Sequence, residues 1–225
     1  MKYIIASHHT WDKKSFDNLI KANPTEDFYF ISEKKDLNAE LLNSINPRFI
    51  FFPHWSYIVP KNVINDYECV CFHMTDLPYG RGGSPLQNLI LRNHTETKIS
   101  AIKMTDELDA GPIYYKKKLN LDGSAKDIYR RSSKIISTMI QKIISSEMIP
   151  KKQVGKVTKF VRRKPSQSEI RKFVSVADLY NFIRMLDAPN YPYAFIRKNR
   201  HIFEFFDAKL DNETLTASVK IKKIK

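Results

Sequence analysis

The sequence predicts an α/β protein with a doubly wound, mostly parallel sheet and a small C-terminal α+β appendage. Strand-like and helix-like segments alternate over the first two thirds of the chain. Two strand-like runs, RFIFFP (48–53) and YECVCFHM (67–74), are almost continuously apolar, which is typical of strands covered on both faces. The 225 residues suffice for one core and a small addition.

The first half of the alternation contains two strand and helix pairs. KYIIAS (2–7) predicts the first strand, and WDKKSFDNLIKA (11–22) predicts a helix with Phe16, Leu19 and Ile20 on one face. DFYFIS (27–32) then predicts a strand and NAELLNSI (38–45) a short helix.

The second half begins with a helix over SPLQNLILRN (84–93). Ser84 is its predicted N-cap, Pro85 its first residue, and Gln87 the partner that completes a capping box. TKISAIKM (97–104) and GPIYYKKKLNL (111–121) predict strands. Ser124 should cap a long helix whose apolar stripe comprises Ile128, Ile135, Ile136, Met139, Ile140, Ile143 and Ile144.

The pattern changes near residue 150. Residues 151–172 are polar and basic and predict a connection over the surface. A helix over about 176–187 and a strand-rich end follow. We therefore expect a main α/β core over residues 1–150 and a small C-terminal subdomain over 151–225.

Composition limits the class of protein. The formal net charge of +14 favours an anionic partner, although solubility alone also explains such a charge. The only cysteines, Cys69 and Cys71, are two positions apart, which favours reduced strand cysteines over a disulfide or metal site. The start of the chain lacks the apolar run of a signal peptide and no run is long enough to span a bilayer, so we expect a cytoplasmic protein. The turn SHHTWD (7–12) lacks the GxGxxG dinucleotide pattern, and His8 and His9 have no third metal ligand in view.

Chemistry-bearing residues concentrate in two segments. FHMTDLPYGRGGSPLQN (72–88) places His73 at a strand end before a glycine-rich loop, where ligands of open α/β sheets bind. TDELDAGPI (105–113) follows the next predicted strand and contains Asp106, Glu107 and Asp109. Adjacent strand ends would place a carboxylate against the imidazole, a pair that moves protons near neutral pH. From these residues alone, a structural histidine and a solvated acidic loop remain alternatives.

These segments resemble the 10-formyltetrahydrofolate-dependent formyltransferases. The shared block is H-x-x-x-L-P-x-x-R-G-x-x-P-x-Q from His73, together with L-D-x-G over residues 108–111, and 36 positions separate His73 from Asp109. FFPHWSYIVP (51–60) is similar to the family's pterin-binding loop. RRKPSQSEI (162–170) resembles the sugar-nucleotide N-formyltransferases, and residues 72–88 resemble the branch that acts in nonulosonic, pseudaminic-type acid pathways.

The resemblance implies direct transfer of a formyl group from 10-formyltetrahydrofolate to the amine of a nucleotide-linked, UDP-type amino sugar, without metal, membrane or nucleic acid. It implies that His73 is the acid/base or oxyanion partner and that Asp109 orients it. Cys71 stands where the family has an oxyanion-binding asparagine, and a thiol is a weak donor. Two alternatives are a methionyl-tRNA formyltransferase and, because of Cys71, a non-catalytic folate-binding protein.

The resemblance also assigns two sets of binding residues. Packing of their own loop is an alternative role for Trp55 and Tyr57, and bracing of the glycine-rich loop is an alternative role for Arg81. A run such as Arg162–Lys164 is more often a solvated face than a binding site. The expected cofactor-binding residues are Phe52, Pro53, Trp55, Tyr57, Met104, Asp106 and Leu108. The expected acceptor-binding residues are His9, Tyr79, Arg81, Gly82, Gly83 and Arg163.

Overall fold

A computed structural model of the protein describes residues 1–7 and 10–224, with side chains 10–13 left out of the description. The strands are β1 (Lys2–Ala6), β2 (Asp27–Ile31), β3 (Phe49–Phe52), β4 (Cys69–His73), β5 (Arg81–Gly82), β6 (Glu96–Lys103), β7 (Ile113–Asn120), β8 (Lys159–Phe160), β9 (Ala194–Lys198), β10 (His201–Asp211) and β11 (Thr214–Lys223). The α-helices are α1 (Thr10–Lys21), α2 (Ala39–Ile45), α3 (Lys61–Asp66), α4 (Pro85–Ile90), α5 (Ala125–Ile144) and α6 (Val176–Arg184).

A six-stranded sheet in the order β2-β1-β3-β4-β6-β7 confirms the predicted fold class. The pairs β1–β2, β1–β3 and β3–β4 are parallel, as the alternation of strands and helices predicts. The pair β4–β6 is antiparallel, with His73 opposite Ser100. The sheet is therefore mostly parallel, and its direction reverses next to the strand that carries His73.

The interior of the parallel strands explains their apolar sequences. All four residues of β3 are buried, and Ile50 and Phe52 lie in a core cluster with Ile4 and Cys69. Burial, and then the neighbouring Glu68 charge, raise the pKa of the Cys69 thiol to about 12. Cys69 is a free, buried cysteine, and Cys71 is also free.

The described chain divides into two compact units. The first comprises Met1–Gly82, Thr97–Leu119 and Arg130–Lys159, and the second comprises Gly83–Glu96, Asn120–Tyr129 and Phe160–Lys225. Within the second unit, β11, β10 and β9 form an antiparallel sheet in that order, and α6 packs against β10 and β11. This sheet and helix form the predicted α+β appendage, whereas the boundary at residue 150 stays a prediction.

The two predicted helix caps differ in outcome. At α5 the Asp127 amide donates to Ser124 Oγ at 3.3 Å, and the Ser124 amide donates to the Asp127 carboxylate at 3.1 Å, which is a capping box. At α4 the predicted capping box is wrong. Ser84 is left-handed with φ 52°, and its hydroxyl accepts from the Arg163 amide at 3.0 Å instead. Gln87 donates to the Met185 carbonyl, so neither side chain caps α4.

The C-terminal region differs from the prediction in two places. The helix expected over 176–187 ends at Arg184, and the connection over 151–172 contains β8 and buried Phe160 and Ser168. No helix in the described part of the chain combines the length and apolarity that crossing a membrane requires.

Candidate active site

His73 ends β4 and is only 6% exposed. Its Nε2 lies 2.8 Å from the Gly80 carbonyl oxygen, and the positive φ of 76° at Gly80 is a conformation that glycine adopts readily. A carbonyl oxygen can only accept a hydrogen bond, so Nε2 carries a proton and donates it. The other ring nitrogen, Nδ1, is then the one that can gain or lose a proton.

Asp109 faces that second nitrogen. Its Oδ2 lies 3.5 Å from His73 Nδ1 and accepts a hydrogen bond from the Gly82 amide at 2.8 Å. The Asp109 side chain is 10% exposed, and its backbone is left-handed with φ 54°, which Asp tolerates better than most residues. When Nδ1 is protonated, the carboxylate balances the imidazolium charge, so the pair can hold a proton away from bulk water.

The route by which Asp109 reaches His73 differs from the prediction. The two residues were expected at the carboxyl ends of adjacent strands, but β6 is antiparallel and its end, Lys103, lies opposite Val70. The chain after β6 must therefore fold back toward the other end of β4. Gly111 makes this possible, because a Cβ there would lie 1.7 Å from the Lys103 carbonyl oxygen.

Gln153 joins the two loops of the site, although sequence reasoning placed it in a surface connection. Its Nε2 donates to the carbonyl oxygens of Asp109 and Gly111 at 2.8 and 2.9 Å. Its Oε1 accepts from Arg81 Nε and Nη2 at 3.1 and 2.9 Å. We call His73, Gly80, Arg81, Gly82, Asp109 and Gln153 the histidine cluster.

Arg81 contacts protein groups on both sides of its guanidinium. Besides Gln153, it pairs with Glu107 at 3.2 Å. These contacts correspond to the bracing role that the sequence left open for Arg81. The role of Arg81 in acceptor binding stays a prediction. Tyr79 is half-buried just before, in a turn closed by its amide and the Asp76 carbonyl at 3.1 Å.

Cys71 lies two residues before His73 on β4, so the two side chains project from the same face of the strand. It is partly buried. Burial, and then the negative charge of Asp109, raise the pKa of the Cys71 thiol well above its usual range. The thiol therefore stays protonated at neutral pH, which makes it a weak hydrogen-bond donor and a poor nucleophile.

The predicted cofactor residues form an apolar surface around residues 53–60, which we call the aromatic loop. Phe52 and Pro53 are buried at its base. The Trp55 ring packs edge-on against Phe52 and Tyr57, with centroids 5.9 and 5.3 Å apart, and Tyr57 remains 46% exposed. His54 has φ 50° and its Nε2 lies 3.1 Å from Ser132 Oγ.

The other predicted cofactor residues follow β6. Met104 packs against the same core cluster as Trp55. Asp106 is exposed and pairs with Lys61 at 3.2 Å, and Leu108 is 63% exposed. A flat heteroaromatic ring such as a pterin is bound by aromatic and apolar side chains that cover its faces and by backbone groups that hydrogen-bond to its edge. The residues present therefore fit a folate.

Two predicted acceptor residues, Gly83 and Arg163, belong to the second unit. A Cβ at Gly83 would lie 2.4 Å from Arg162 Cβ, so close packing explains this glycine. The Arg163 guanidinium lies 5.6 Å from the Phe182 ring centre, and burial lowers its pKa. Its buried Nε has no hydrogen-bond partner among the described residues. The remaining acceptor residue, His9, lies outside the described residues.

A cavity of about 660 Å³ also lies within the second unit. Its lining includes Asp127, Asp187, Asp207 and Lys209, and none of the predicted site residues. Burial raises the pKa of Asp187, whose carboxylate accepts from the Asp207 amide at 2.8 Å. Three carboxylates against one lysine do not suit a phosphate-bearing acceptor. Over the described residues, no group of three or more His, Cys, Asp or Glu side chains could hold a metal ion.

Family models match most of the chain. Residues 12–148 match the model described as "Formyl transferase", and residues 165–222 match that of "Methionyl-tRNA formyltransferase, C-terminal domain". Among curated proteins, the methionyl-tRNA formyltransferase of Wolbachia pipientis is 30% identical over 128 residues, which are 54% of this chain and 43% of that protein. The chain spans about half the length of the curated relatives it matches.

Solved structures match over the whole chain. A structure named methionyl-tRNA formyltransferase, from Clostridium thermocellum, superposes with a TM-score of 0.96 at 44% identity and covers 99% of both chains. A sugar N-formyltransferase from a Shewanella species superposes with a TM-score of 0.70 at 14% identity, again over 99% of both chains. The second likeness shows the fold alone.

Proposed function

Because the chain belongs to the formyl transferase family, we propose that it transfers the formyl group of 10-formyltetrahydrofolate to the amino group of a nucleotide-linked amino sugar. The observation that carries the proposed chemistry is the buried pair of His73 and Asp109, in which Nδ1 of His73 lies 3.5 Å from Oδ2 of Asp109. We propose residues 1–150 as the catalytic core and 151–225 as the C-terminal subdomain.

The histidine cluster performs the proton handling in this proposal. The Nε2 proton of His73 is donated to the Gly80 carbonyl, so Nδ1 is the ring nitrogen that accepts the proton lost by the attacking amine. Asp109, kept in place by the Gly82 amide, balances the imidazolium that results until this proton passes to the nitrogen of the departing tetrahydrofolate. The protonated Cys71 thiol adds only one weak donor on the same face, so oxyanion stabilisation needs hydrogen-bond donors other than Cys71, and His73 contributes through the positive charge of its imidazolium.

The aromatic loop and the turn after β6 are the proposed donor site. When bound, 10-formyltetrahydrofolate supplies an activated formyl carbon. Trp55, Tyr57 and Leu108 would cover the pterin ring, because they are partly or largely exposed apolar groups at this position. Phe52, Pro53, Met104 and Asp106 complete the proposed set at the base of the loop and along the turn.

The proposed acceptor site uses Tyr79, Arg81, Gly82, Gly83, Arg163 and His9. The half-buried Arg163 guanidinium supports a phosphate-bearing acceptor, because arginine binds phosphate oxygens through several N–H donors. The segments over 72–88 and 162–170 support an amino sugar of the nonulosonic, pseudaminic-type branch carried on UDP.

Methionyl-tRNA is the second candidate acceptor. Both the curated relatives and the Clostridium thermocellum structure carry that name, and the net charge of +14 suits a nucleic acid. A tRNA also presents phosphates to Arg163, so the shared chemistry is a primary amine attached to a phosphate-bearing carrier. The two acceptors therefore need a direct comparison.

The proposal is tested by incubating the protein with 10-formyltetrahydrofolate and either UDP- and dTDP-linked amino sugars or methionyl-tRNA. Mass spectrometry then shows which amine has gained a formyl group. Formylation of a nucleotide sugar supports the proposal, and formylation of methionyl-tRNA alone replaces it with the second candidate. Tight folate binding with no product from either acceptor contradicts both and supports a non-catalytic folate-binding protein, which the cysteine at position 71 motivates.

A further inference from the structure

We propose that Gln153 is a positioning residue of this site, acting on His73 through Asp109. The inference rests on the proposed function only for its effect on turnover. The geometry of the carboxamide is independent of any substrate. Gln153 lies in a basic stretch with no motif of its own, and it reaches the site through four hydrogen bonds to three residues.

The orientation of the Gln153 amide follows from its partners. The carbonyl oxygens of Asp109 and Gly111 can only accept, so the amide nitrogen faces them. The Arg81 guanidinium can only donate, so the amide oxygen faces it. The glutamine carboxamide has two N–H donors at one end and an acceptor oxygen at the other. These partners exclude the flipped orientation of the amide, because it would place the oxygen against two carbonyls and the NH2 group against a guanidinium.

The two donated bonds bracket the turn that aims the Asp109 carboxylate. Asp109 is left-handed, a conformation that most residues with a side chain avoid. Gly111, at the other end of the turn, packs directly on the end of β6. Because Gln153 holds the carbonyls on both sides, it fixes the direction in which the carboxylate leaves the backbone toward His73 Nδ1 and the Gly82 amide.

The accepted bonds connect this turn to the glycine-rich loop. Arg81 precedes Gly82, whose amide binds the Asp109 carboxylate, and Arg81 is itself held by Gln153. The Arg81 amide also donates to the Thr158 carbonyl at 3.0 Å, so residues from the same C-terminal stretch hold this loop twice. A displacement of about 1 Å at a reacting group can cost about 100-fold in rate, so a small shift of Asp109 should be measurable.

The test compares Gln153→Leu and Gln153→Glu with the matched control Gln141→Leu. Gln141 is also a half-buried glutamine with side-chain hydrogen bonds, which it makes to Asn23 on the surface of the same unit. Gln153→Glu keeps an acceptor for Arg81 but places carboxylate oxygens against two carbonyls. It therefore removes the hold on the turn while preserving the contact with Arg81, and it serves if Gln153→Leu fails to fold.

The first measurement needs no substrate. Long-range ¹H–¹⁵N spectra record the imidazole nitrogens, and His73 is identified by the signals lost in His73→Gln. We expect both Gln153 variants to move the His73 Nδ1 signal in the direction in which Asp109→Asn moves it, and Gln141→Leu to leave it unchanged. A His73 signal that stays at its wild-type position in a folded Gln153 variant overturns the proposal, whether or not any acceptor is formylated.

The second measurement uses the acceptor identified above. We expect kcat to fall about 10- to 100-fold in both Gln153 variants, with little change in the KM for 10-formyltetrahydrofolate. An increase in that KM at unchanged kcat would show that Gln153 belongs to donor binding instead, and it would also overturn the proposal.

Discussion

The histidine cluster and the aromatic loop lie in the same compact unit but differ in how far their side chains are exposed. In the histidine cluster, His73, Asp109 and Gln153 bond to fixed groups of the protein. In the aromatic loop, the Trp55 and Tyr57 rings pack edge-on against each other, and Tyr57 is 46% exposed. The cluster is arranged before any ligand arrives, whereas the loop presents apolar surface that a ligand can cover. Changes in the cluster should therefore act on kcat, and changes in the loop on KM.

The largest effect should come from His73→Gln. Glutamine retains a donor for the Gly80 carbonyl but cannot gain and release a proton, so we expect kcat to fall by about two to four decades. Steady-state kinetics and a binding titration with the folate donor provide the measurement. His201→Gln, on β10, is the matched control and should have wild-type activity. Turnover near the wild-type rate in His73→Gln would remove the histidine cluster from the chemistry.

Asp109→Asn should have the next largest effect. Asparagine tolerates the left-handed backbone as well as aspartate does, but it cannot balance an imidazolium charge, so we expect kcat to fall by about two decades. The affinity for the folate donor, measured by titration, should remain unchanged. In the control Asp66→Asn, both kcat and donor affinity should stay at their wild-type values. If donor affinity falls together with kcat, Asp109 holds the cofactor loop and the division between the two regions fails.

Tyr57→Ser tests the other side of the comparison. Loss of one exposed aromatic contact, worth about 0.5–1.5 kcal/mol, should raise the KM for 10-formyltetrahydrofolate about 2- to 10-fold at unchanged kcat. Tyr29→Ser removes a similarly exposed tyrosine from β2 and should alter neither value. A KM that does not respond to Tyr57→Ser would place the donor elsewhere.

Cys71→Ser should have the smallest effect. The raised pKa of the Cys71 thiol means that its thiolate fraction is low at neutral pH and increases only in alkaline solution. Alkylation of Cys71 by iodoacetamide, followed by mass spectrometry, should therefore be slow at neutral pH and accelerate with rising pH.

Cys71→Asn restores the family's usual hydrogen-bond donor. Its kcat tests whether the pocket has room for the amide and whether the reaction becomes faster. A formyl thioester on Cys71 in enzyme quenched during turnover would contradict direct transfer.

The sequence predicted the order of the core elements because buried strands and amphipathic helices have distinct periodicities. It did not predict the direction of β6, since a run of β-branched residues such as TKISAIKM has the same pattern in either direction. It also missed α3, a helix of six residues too short to show a period. The α4 cap was mispredicted because local sequence cannot show that Ser84 adopts a left-handed conformation and binds the distant Arg163 amide.

For the site, the resemblance identified His73 and Asp109, which the structure brings together across 36 positions of sequence. Gln153 had no such signal, since its partners are backbone carbonyls and one arginine, which leave no spacing pattern in the chain. Arg81 shows a related limit. A guanidinium before a glycine suits both ligand binding and bracing, and its contacts with Gln153 and Glu107 become visible only in three dimensions.

The central claim is that His73 and Asp109 act as one unit in formyl transfer. It is tested most directly by a double-mutant cycle, in which kcat is measured for His73→Gln, Asp109→Asn and the double variant with the identified acceptor. Residues that work through each other give non-additive losses, so we expect the double variant to be no slower than His73→Gln within about threefold. Losses that multiply in the double variant would show that the two residues act independently and would contradict the account.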